Sequence, residues 1–409
     1  MQIVRDESGI TVKARTYRLR LPAGRPFAVL EDEAGEPWAE LTLAWSAHRL
    51  DVLDETAAIG PLEVTGSTIR IPLLSTAWRE KTLVIECRDD ELRLGLDLEG
   101  DGALTDLHLL AGYSSADARY GSGWFPSERH FQTLFMDTLD AAAVMPGTVV
   151  IDDKWQRAYG HGQVDHERWP DLRGWIAERH ARGQRVLLWW KAWDPEGLPP
   201  AWCVTNTAGR GVTADPSHPA YEAHLRAQLA LMLGSDGYDA DGLKIDFTAQ
   251  SPSGPGLRAH GSEWGVELLH HLLEILYQGS KAAKADALIV AHAPNPYFAD
   301  VADMVRLNDM LRLERIQPDT DVVRQMRHRA RVAAEACPEL LIDTDDWQVP
   351  DRAAWRAYAR HQPALGVPCL YYTDHVGLKG EPLEEEDYQM LRESWAAFRL
   401  AGTSSHRLR

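Results

Sequence analysis

The chain has 409 residues, of which 44% are apolar and 25% are charged, as in an ordinary globular protein with a large core. Its formal net charge of -18 disfavours binding to a nucleic-acid backbone or an anionic membrane. The four cysteines contain no CxxC pair and predict neither a disulfide framework nor a zinc site. The N-terminus lacks the apolar core of a signal peptide, and no apolar run is long enough to span a membrane. These features predict a cytoplasmic protein.

Residues 1–110 are predicted to form an N-terminal β-sandwich domain. The segment "ELRLGLDLEG" alternates leucine with polar or small residues and follows "KTLVIEC" through an acidic "RDD" turn, which indicates a hairpin. The segments "LEVTGSTIRIPL" and "PFAVLEDEAGEPWAELTLAW" have the same strand, turn and strand pattern. Because this region contains no strong amphipathic helix, two packed sheets are the expected arrangement.

Residues 111–409 are predicted to form a (β/α)8 barrel. Short apolar runs such as "TVVIDDKW", "QRVLLWWKAW" and "DGLKIDF" alternate with helix-length segments such as "DLRGWIAERHARG" and "SEWGVELLHHLLEILYQG". Seven strands are clear, the last at 367–372, and an eighth is expected at "ARYGSGWF" (118–125). Eight such units fit a barrel. A doubly wound sheet is disfavoured because no glycine-rich phosphate turn follows a strand.

The active site of such a barrel lies at the carboxyl ends of the strands. The polar and aromatic residues expected there, in strand order, are Asp152, Asp153 and Trp155; Trp189, Trp190, Lys191, Trp193 and Asp194; Lys244 and Asp246; His292 and Asn295; Arg306 and Asp309; Asp343, Asp345, Asp346 and Trp347; and Tyr371, Tyr372, Asp374 and His375.

This set is rich in carboxylates and tryptophans, which points to glycoside hydrolysis. No His-x-His follows the first expected strand and no GxSxG is present, so neither a metal site nor a serine nucleophile is favoured. No cofactor is expected. A retaining glycosidase needs two carboxyl groups about 5–5.5 Å apart, one as nucleophile and one as acid/base. Strands four and six, which carry Asp246 and Asp309, are suitable donors on opposite sides of a barrel mouth.

The runs "VVIDDKWQ", "VDHERWPDLRGWIAERHARGQRVLLWW" and "DGLKIDF" resemble the catalytic barrel of the retaining α-glycosidase clan, which includes α-galactosidases, α-glucosidases and α-xylosidases. The resemblance covers about residues 118–375. It implies that Asp246 is the nucleophile and that Asp309, with Arg306 beside it, is the acid/base. It further implies that Lys244, Asp152 and Asp153 bind hydroxyls of the sugar and that Trp155 forms a wall of the pocket. Trp189, Trp190 and Lys191 match the aromatic strand end that faces the sugar.

Two departures from the clan bear on the substrate and the assembly. Lys154 stands where α-galactosidases carry glycine, and the segment "VRLND" matches the acid/base motif loosely. The C-terminal β-domain of the clan does not follow the eighth unit, so loops of a second subunit are expected to complete the site in a homo-oligomer.

Several alternatives remain open from the sequence. His292 is expected to be a hydrogen-bonded wall residue of the sugar site. The cluster that contains Asp345 binds either sugar hydroxyls or a cation, or it only favours the start of the following helix. Galactose is the first choice of sugar, and glucose or xylose is the second. A transglycosylase and a carbohydrate-binding barrel without catalysis are the rival functions.

Overall fold

The computed structural model describes residues 1–31, 37–48, 52–54, 56, 58–101, 104–114, 136–252, 256–307, 321–347, 349–376 and 380–404. The chain divides into two compact units. The first comprises Met1–Ala118, Pro252–Arg258 and Ser262–Glu267, and the second comprises Arg119–Ser251, Ala259–Gly261 and Leu268–Arg409.

The first unit contains two antiparallel sheets. Its strands are Gln2–Asp6 (β1), Gly9–Lys13 (β2), Arg18–Pro22 (β3), Phe27–Glu31 (β4), Pro37–His48 (β5), Val52–Asp54 (β6), Glu63–Thr65 (β7), Thr68–Pro72 (β8), Glu80–Cys87 (β9), Leu92–Glu99 (β10) and Leu104–Ser114 (β11). One sheet has the order β1-β2-β3-β4-β5-β11, with β6 also paired to β5, and the other has the order β10-β9-β8-β7. The predicted boundary at residue 110 falls within β11, and the division into 1–110 and 111–409 stays a prediction.

Alternation of apolar residues builds the core between these sheets. In β9 every second side chain is buried, including Leu83, Ile85 and Cys87. They belong to one hydrophobic cluster with Leu19 and Leu21 of the other sheet, so the two sheets share a core. The predicted hairpin of β9 and β10 is confirmed, because the two strands pair antiparallel from Cys87 and Leu92 outward.

The second unit is built around parallel strands and helices. Its strands are Thr148–Ile151 (β12), Arg185–Lys191 (β13), Cys203–Thr205 (β14), Gly211–Ala214 (β15), Gly242–Asp246 (β16), Leu288–Ala291 (β17), Met304–Arg306 (β18), Leu341–Asp343 (β19), His375–Val376 (β20) and Glu381–Pro382 (β21). The helices are Leu172–Ala181 (α1), Pro219–Leu233 (α2), Val266–Ala283 (α3), Val322–Ala336 (α4), Arg352–Ala359 (α5), Gln362–Leu365 (α6) and Glu385–Ser404 (α7). Short 3-10 turns lie at Pro200–Trp202, Thr248–Gln250 and Pro296–Val301.

The parallel sheet keeps its strands in chain order. In the described residues the order is β12-β13-β16-β17-β18-β19, and every pair of neighbours is parallel. A doubly wound sheet would reverse its order at a switch point, and this sheet does not. Helices α1 to α4 occupy connections between its strands, as the alternation in the sequence predicts. Helix α1 begins where expected, because the Asp171 side chain accepts a hydrogen bond from the Gly174 amide.

The sheet curls back on itself. Six flat strands would place β12 and β19 about 24 Å apart, since neighbouring strands are about 4.8 Å apart. Yet the Tyr371 hydroxyl, in the segment that follows β19, lies 3.4 Å from the Asp152 carboxylate at the end of β12. Only a strongly curved sheet brings these ends together.

The expected last strand at 367–372 is not a regular strand. Val367 forms a parallel bridge with Asp343, and its amide donates to the Ile342 carbonyl at 2.7 Å. This segment therefore runs beside β19, where the prediction placed it, but with less regular pairing. The expected first strand at 118–125 lies outside the described residues.

Candidate active site

Asp246 lies at the carboxyl end of β16, on a strand that is buried over the rest of its length. The strand begins at Gly242, which has φ +151°, and a Cβ atom there would lie 2.0 Å from the Leu288 carbonyl oxygen of β17. Glycine is required at this close approach. The strand is followed by Phe247, whose φ of 60° is left-handed. This turn directs the Phe247 amide to the Asp246 Oδ1 atom at 2.8 Å.

The Asp246 carboxylate is held by groups from neighbouring strands. The indole N–H of Trp189, on β13, donates to Oδ2 at 3.0 Å, and Nε2 of His292 lies 3.6 Å from Oδ1. Burial opposes ionisation, but His292, Lys244 and Arg306 outweigh it and hold the pKa of Asp246 well below its usual range. Since the side chain keeps 23% of its surface exposed, the structure presents an accessible, ionised carboxylate.

Lys244 is two residues before Asp246 and is buried beside it. Its ammonium group donates to Asp152 Oδ2 at 2.6 Å, and it lies 5.5 Å from the centre of the Tyr371 ring. Burial alone would lower the pKa of Lys244, but the charge of Asp152 raises it above the ordinary value. The pairing of Lys244 with Asp152 brings the ends of β12 and β16 together across β13.

Asp153 is held by an aromatic residue of the following loop. The Tyr159 hydroxyl donates to Asp153 Oδ1 at 2.8 Å, and its ring meets the Trp189 ring edge to face. The ammonium group of Lys191 lies 4.4 Å from the Tyr159 ring centre and 2.7 Å from the Asp194 carboxylate. Burial raises the pKa of Asp153. Tyr159 thus links two predicted sugar ligands, Asp153 and Lys191.

Lys154, which replaces the glycine of α-galactosidases, has a left-handed φ of 66°. This backbone conformation is the one that favours glycine. The departure in sequence therefore coincides with a conformation that suits glycine better than lysine.

Two of the predicted tryptophans lie beneath the site. Trp155 has no exposed surface; its indole donates to the Trp189 carbonyl at 2.8 Å, and its ring meets Tyr238. The predicted role of Trp155 as a pocket wall does not fit this burial, because both the ring and its donor are occupied by protein. Trp190 is also buried, at 1% exposure. Trp189 differs because its N–H reaches Asp246, although its ring is buried as well.

Arg306 is paired with a residue of the next strand end. Its guanidinium lies 2.5 Å from the Asp345 carboxylate, and both side chains are almost fully buried. The Asp345 carboxylate also accepts from the Trp347 amide at 3.0 Å. Asp345, predicted to bind substrate, is thus engaged with Arg306 and the backbone. Asp309, the predicted acid/base, lies outside the described residues.

Asp346 is a buried carboxyl that connects two strand ends. It accepts from the Trp355 indole at 2.9 Å and from the Tyr371 amide at 2.7 Å. Burial, strengthened by the charges of Asp345 and Asp343, outweighs these donors and raises the pKa of Asp346 to about 7. Through the Tyr371 amide, Asp346 helps to position the hydroxyl that faces Asp152.

The sequence predicted Tyr371 at a strand end but assigned it no role, and it did not indicate Tyr159 at all. Tyr159 lies in a loop whose path the sequence does not reveal, and no pattern around it indicates a contact with Asp153. Both tyrosines act on residues that were predicted.

The described residues contain no cluster of three or more histidine, cysteine or carboxylate groups that suits a metal ion. Over the same residues, no helix combines the length and apolar character needed to cross a membrane. The arrangement at β16 is instead suited to nucleophilic attack by a carboxylate, with an ammonium group and an indole N–H beside it.

No family model matches the sequence, and no curated protein matches it. Solved structures do share the fold. The Kfla1895 D451A mutant in complex with cyclobis-(1->6)-alpha-nigerosyl has a TM-score of 0.53 at 14% identity, over 92% of this chain and 67% of that one. The cycloalternan-degrading enzyme from Trueperella pyogenes in complex with a covalent intermediate has a TM-score of 0.52 at 15% identity, over 93% and 66%.

An α-galactosidase from Thermus thermophilus in complex with stachyose has a TM-score of 0.49 at 15% identity, over 97% of this chain and 95% of that one. The present chain spans about two thirds of the length of the two other neighbours. The chain therefore shares its fold with these two structures, and the resemblance identified in the sequence is confirmed at the level of the fold alone.

Proposed function

We propose that this protein is a retaining, exo-acting α-glycosidase in which Asp246 is the nucleophile. The observation that carries the proposal is the ionised, partly exposed Asp246 carboxylate at a strand end, bound by the Trp189 indole N–H at 3.0 Å. An ionised carboxylate that remains accessible is what covalent attack on a sugar requires.

In the proposed reaction, Asp246 attacks the anomeric carbon as the bond to the leaving oxygen breaks. Asp309, the acid/base assigned from the sequence, gives its proton to that oxygen. Asp309 then takes a proton from water, which attacks the same carbon and releases Asp246. The nearby charge of Lys244 favours the ionised nucleophile in both steps.

The terminal sugar is proposed to bind beside Asp152, Asp153, Lys191 and Lys244, whose polar atoms meet at the ends of β12, β13 and β16. Galactosides are the first substrates to test, from the Asp-Asp-x-Trp turn. Glucosides are the second, because two fold neighbours were solved with isomaltose.

We further propose that the parallel sheet closes into a (β/α)8 barrel. The contact between Tyr371 and Asp152 supports this, because it brings residues 367–372, which run beside β19, close to β12 at the other edge of the described sheet, where one of the eight strands remains to be placed. The sequence at 118–125 is the candidate for that strand. A crystal structure that placed 118–125 elsewhere would contradict the closure.

The test is labelling with mechanism-based reagents. The protein is incubated with 2-deoxy-2-fluoroglycosyl fluorides and cyclitol epoxides of galacto, gluco and xylo configuration, and the labelled peptide is identified by mass spectrometry. We expect one label, on Asp246, with the reagent of the preferred sugar.

The Asp246→Ala variant should take no label and should lose turnover. The matched control is Asp286→Ala, a change at an exposed carboxylate, which should alter neither the labelling of Asp246 nor the turnover. Full turnover by Asp246→Ala, or a label on another carboxylate, would overturn the assignment. Product analysis with and without an acceptor sugar separates hydrolysis from transglycosylation.

A further inference from the structure

His292 has a buried ring nitrogen to which none of the described residues forms a hydrogen bond. Its side chain is 8% exposed, and Nε2 has no hydrogen-bond partner among the described residues. The nearest carboxylate oxygen, Oδ1 of Asp246, is 3.6 Å away, which is too long for a hydrogen bond. Buried polar atoms are rarely left unpaired, and one beside a nucleophile points to a substrate group.

The charge of the ring is consistent with such a contact. Burial lowers the pKa of His292 to about 4; Asp246 and Asp345 oppose this shift, whereas Arg306 and Lys244 add to it. The imidazole is therefore neutral near pH 7, and it does not neutralise the Asp246 charge on which attack depends. A neutral ring can either donate to a hydroxyl group or accept from one.

The position of Nε2 relative to Asp246 selects the hydroxyl. The anomeric carbon that Asp246 attacks has two neighbours in the sugar ring, O5 and C2, and only C2 carries a hydroxyl group that can pair with a neutral ring nitrogen as donor or acceptor. Hydrogen bonds to the 2-hydroxyl strengthen in the transition state of glycoside hydrolysis.

We propose that His292 is a specificity-determining residue that hydrogen-bonds the equatorial 2-hydroxyl of the sugar attacked by Asp246. The inference rests on the proposed glycosidase function and deepens it. Galactose, glucose and xylose all carry this hydroxyl in the same configuration, so the contact does not choose among them. It excludes sugars with an axial 2-hydroxyl.

The test compares an aryl α-glycoside of the preferred sugar with its 2-deoxy and 2-epimeric analogues. The kcat/KM ratio of parent to 2-deoxy substrate is measured for the wild type, His292→Ala and His292→Asn. We expect the ratio to be at least tenfold larger in the wild type than in either variant, because only the wild type loses the contact along with the hydroxyl. A merely structural effect of the substitution would lower both rates equally and leave the ratio unchanged.

The matched control is His270→Ala, a histidine of α3 that pairs with Asp300, and its ratio should equal that of the wild type. If neither His292 variant folds, the inference is tested on the wild-type protein alone. Equal kcat/KM values on the parent substrate and its 2-epimer would then overturn it. An unchanged ratio in a folded variant would also overturn it. Absence of turnover of every parent α-glycoside would instead overturn the proposed function itself, and the inference with it.

Discussion

Lys244 pairs with Asp152, two strands away across the sheet, at 2.6 Å, and not with its near neighbour Asp246 in the same strand. The two charges of "KID" therefore have separate tasks. Lys244 joins two strand ends and supplies positive charge, while Asp246 keeps its carboxylate ionised and accessible. An ion pair between Lys244 and Asp246 would have occupied the carboxylate that we propose as nucleophile.

Replacing Lys244 by methionine is expected to move the acid limb of the kcat/KM profile to higher pH. The pKa of Asp246 is governed by burial, which raises it, and by His292 and Lys244, which lower it. Loss of the ammonium group raises that pKa, so Asp246 is protonated at a higher pH. The free energy of unfolding should fall by on the order of 3 kcal/mol, because Asp152 loses its partner.

Lys281→Met is the matched control for this prediction. Lys281 forms an ion pair with Asp303 at 2.8 Å, away from the Asp246 carboxylate. The Lys281→Met variant should lower the free energy of unfolding without moving the acid limb of the kcat/KM profile. An acid limb at the wild-type position in Lys244→Met would contradict the proposed electrostatic role.

Replacing Trp189 by phenylalanine should lower kcat/KM about tenfold to a hundredfold. The change keeps an aromatic ring against Tyr159 and Phe247 but removes the N–H that donates to Asp246. Hydrogen bonds to charged groups contribute about 1.5–3 kcal/mol, which corresponds to that range of rates. Trp175→Phe, on α1, makes the same loss of volume in a buried ring and should leave the rate near that of the wild type.

Asp346→Asn is expected to flatten the dependence of stability on pH. The pKa of Asp346 is about 7 in the folded chain and about 4 in an unfolded one. Between these values the native state binds the extra proton, so the free energy of unfolding falls as pH rises.

The amide cannot ionise, and the slope should decrease by up to about 1.4 kcal/mol per pH unit within this window. Urea unfolding from pH 4 to pH 7 measures it. Glu386→Gln, at a side chain that is 83% exposed, should leave the slope unchanged. An identical slope in Asp346→Asn and the wild type would show that Asp346 does not hold this proton.

Lys154→Gly should be more stable than Lys154→Ala by about 1 kcal/mol, because only glycine adopts a left-handed φ without strain. Both variants lose the ammonium group, so their difference isolates the backbone term. Thermal unfolding measures it. Equal stability of the two variants would contradict a left-handed conformation at this position. The ratio of rates on α-galactosides and α-glucosides in Lys154→Gly then tests whether the lysine side chain affects selectivity.

The sequence alone determined the order of the six strands of the parallel sheet and of the helices that connect them. The alternation of leucine with polar or small residues in "ELRLGLDLEG" placed Leu94 and Leu96 on the face of β10 that packs against the core, because successive side chains of a strand point to opposite faces. The same periodicity placed Lys244 and Asp246 together at the end of β16. These are local consequences of backbone geometry, and they can be predicted without knowing which other elements pack against the strand or helix.

Only the tertiary structure decided which charged side chains pair and which aromatic side chains are buried beneath the site. Lys244 and Asp152 are 92 residues apart in the chain, and the curvature of the sheet brings them together. Arg306 turns to Asp345 on the next strand end, while Trp155 directs its indole to the Trp189 carbonyl beneath the site. Each pairing depends on distances across the sheet, which are set by how the strands pack and curl and not by any pattern within one strand.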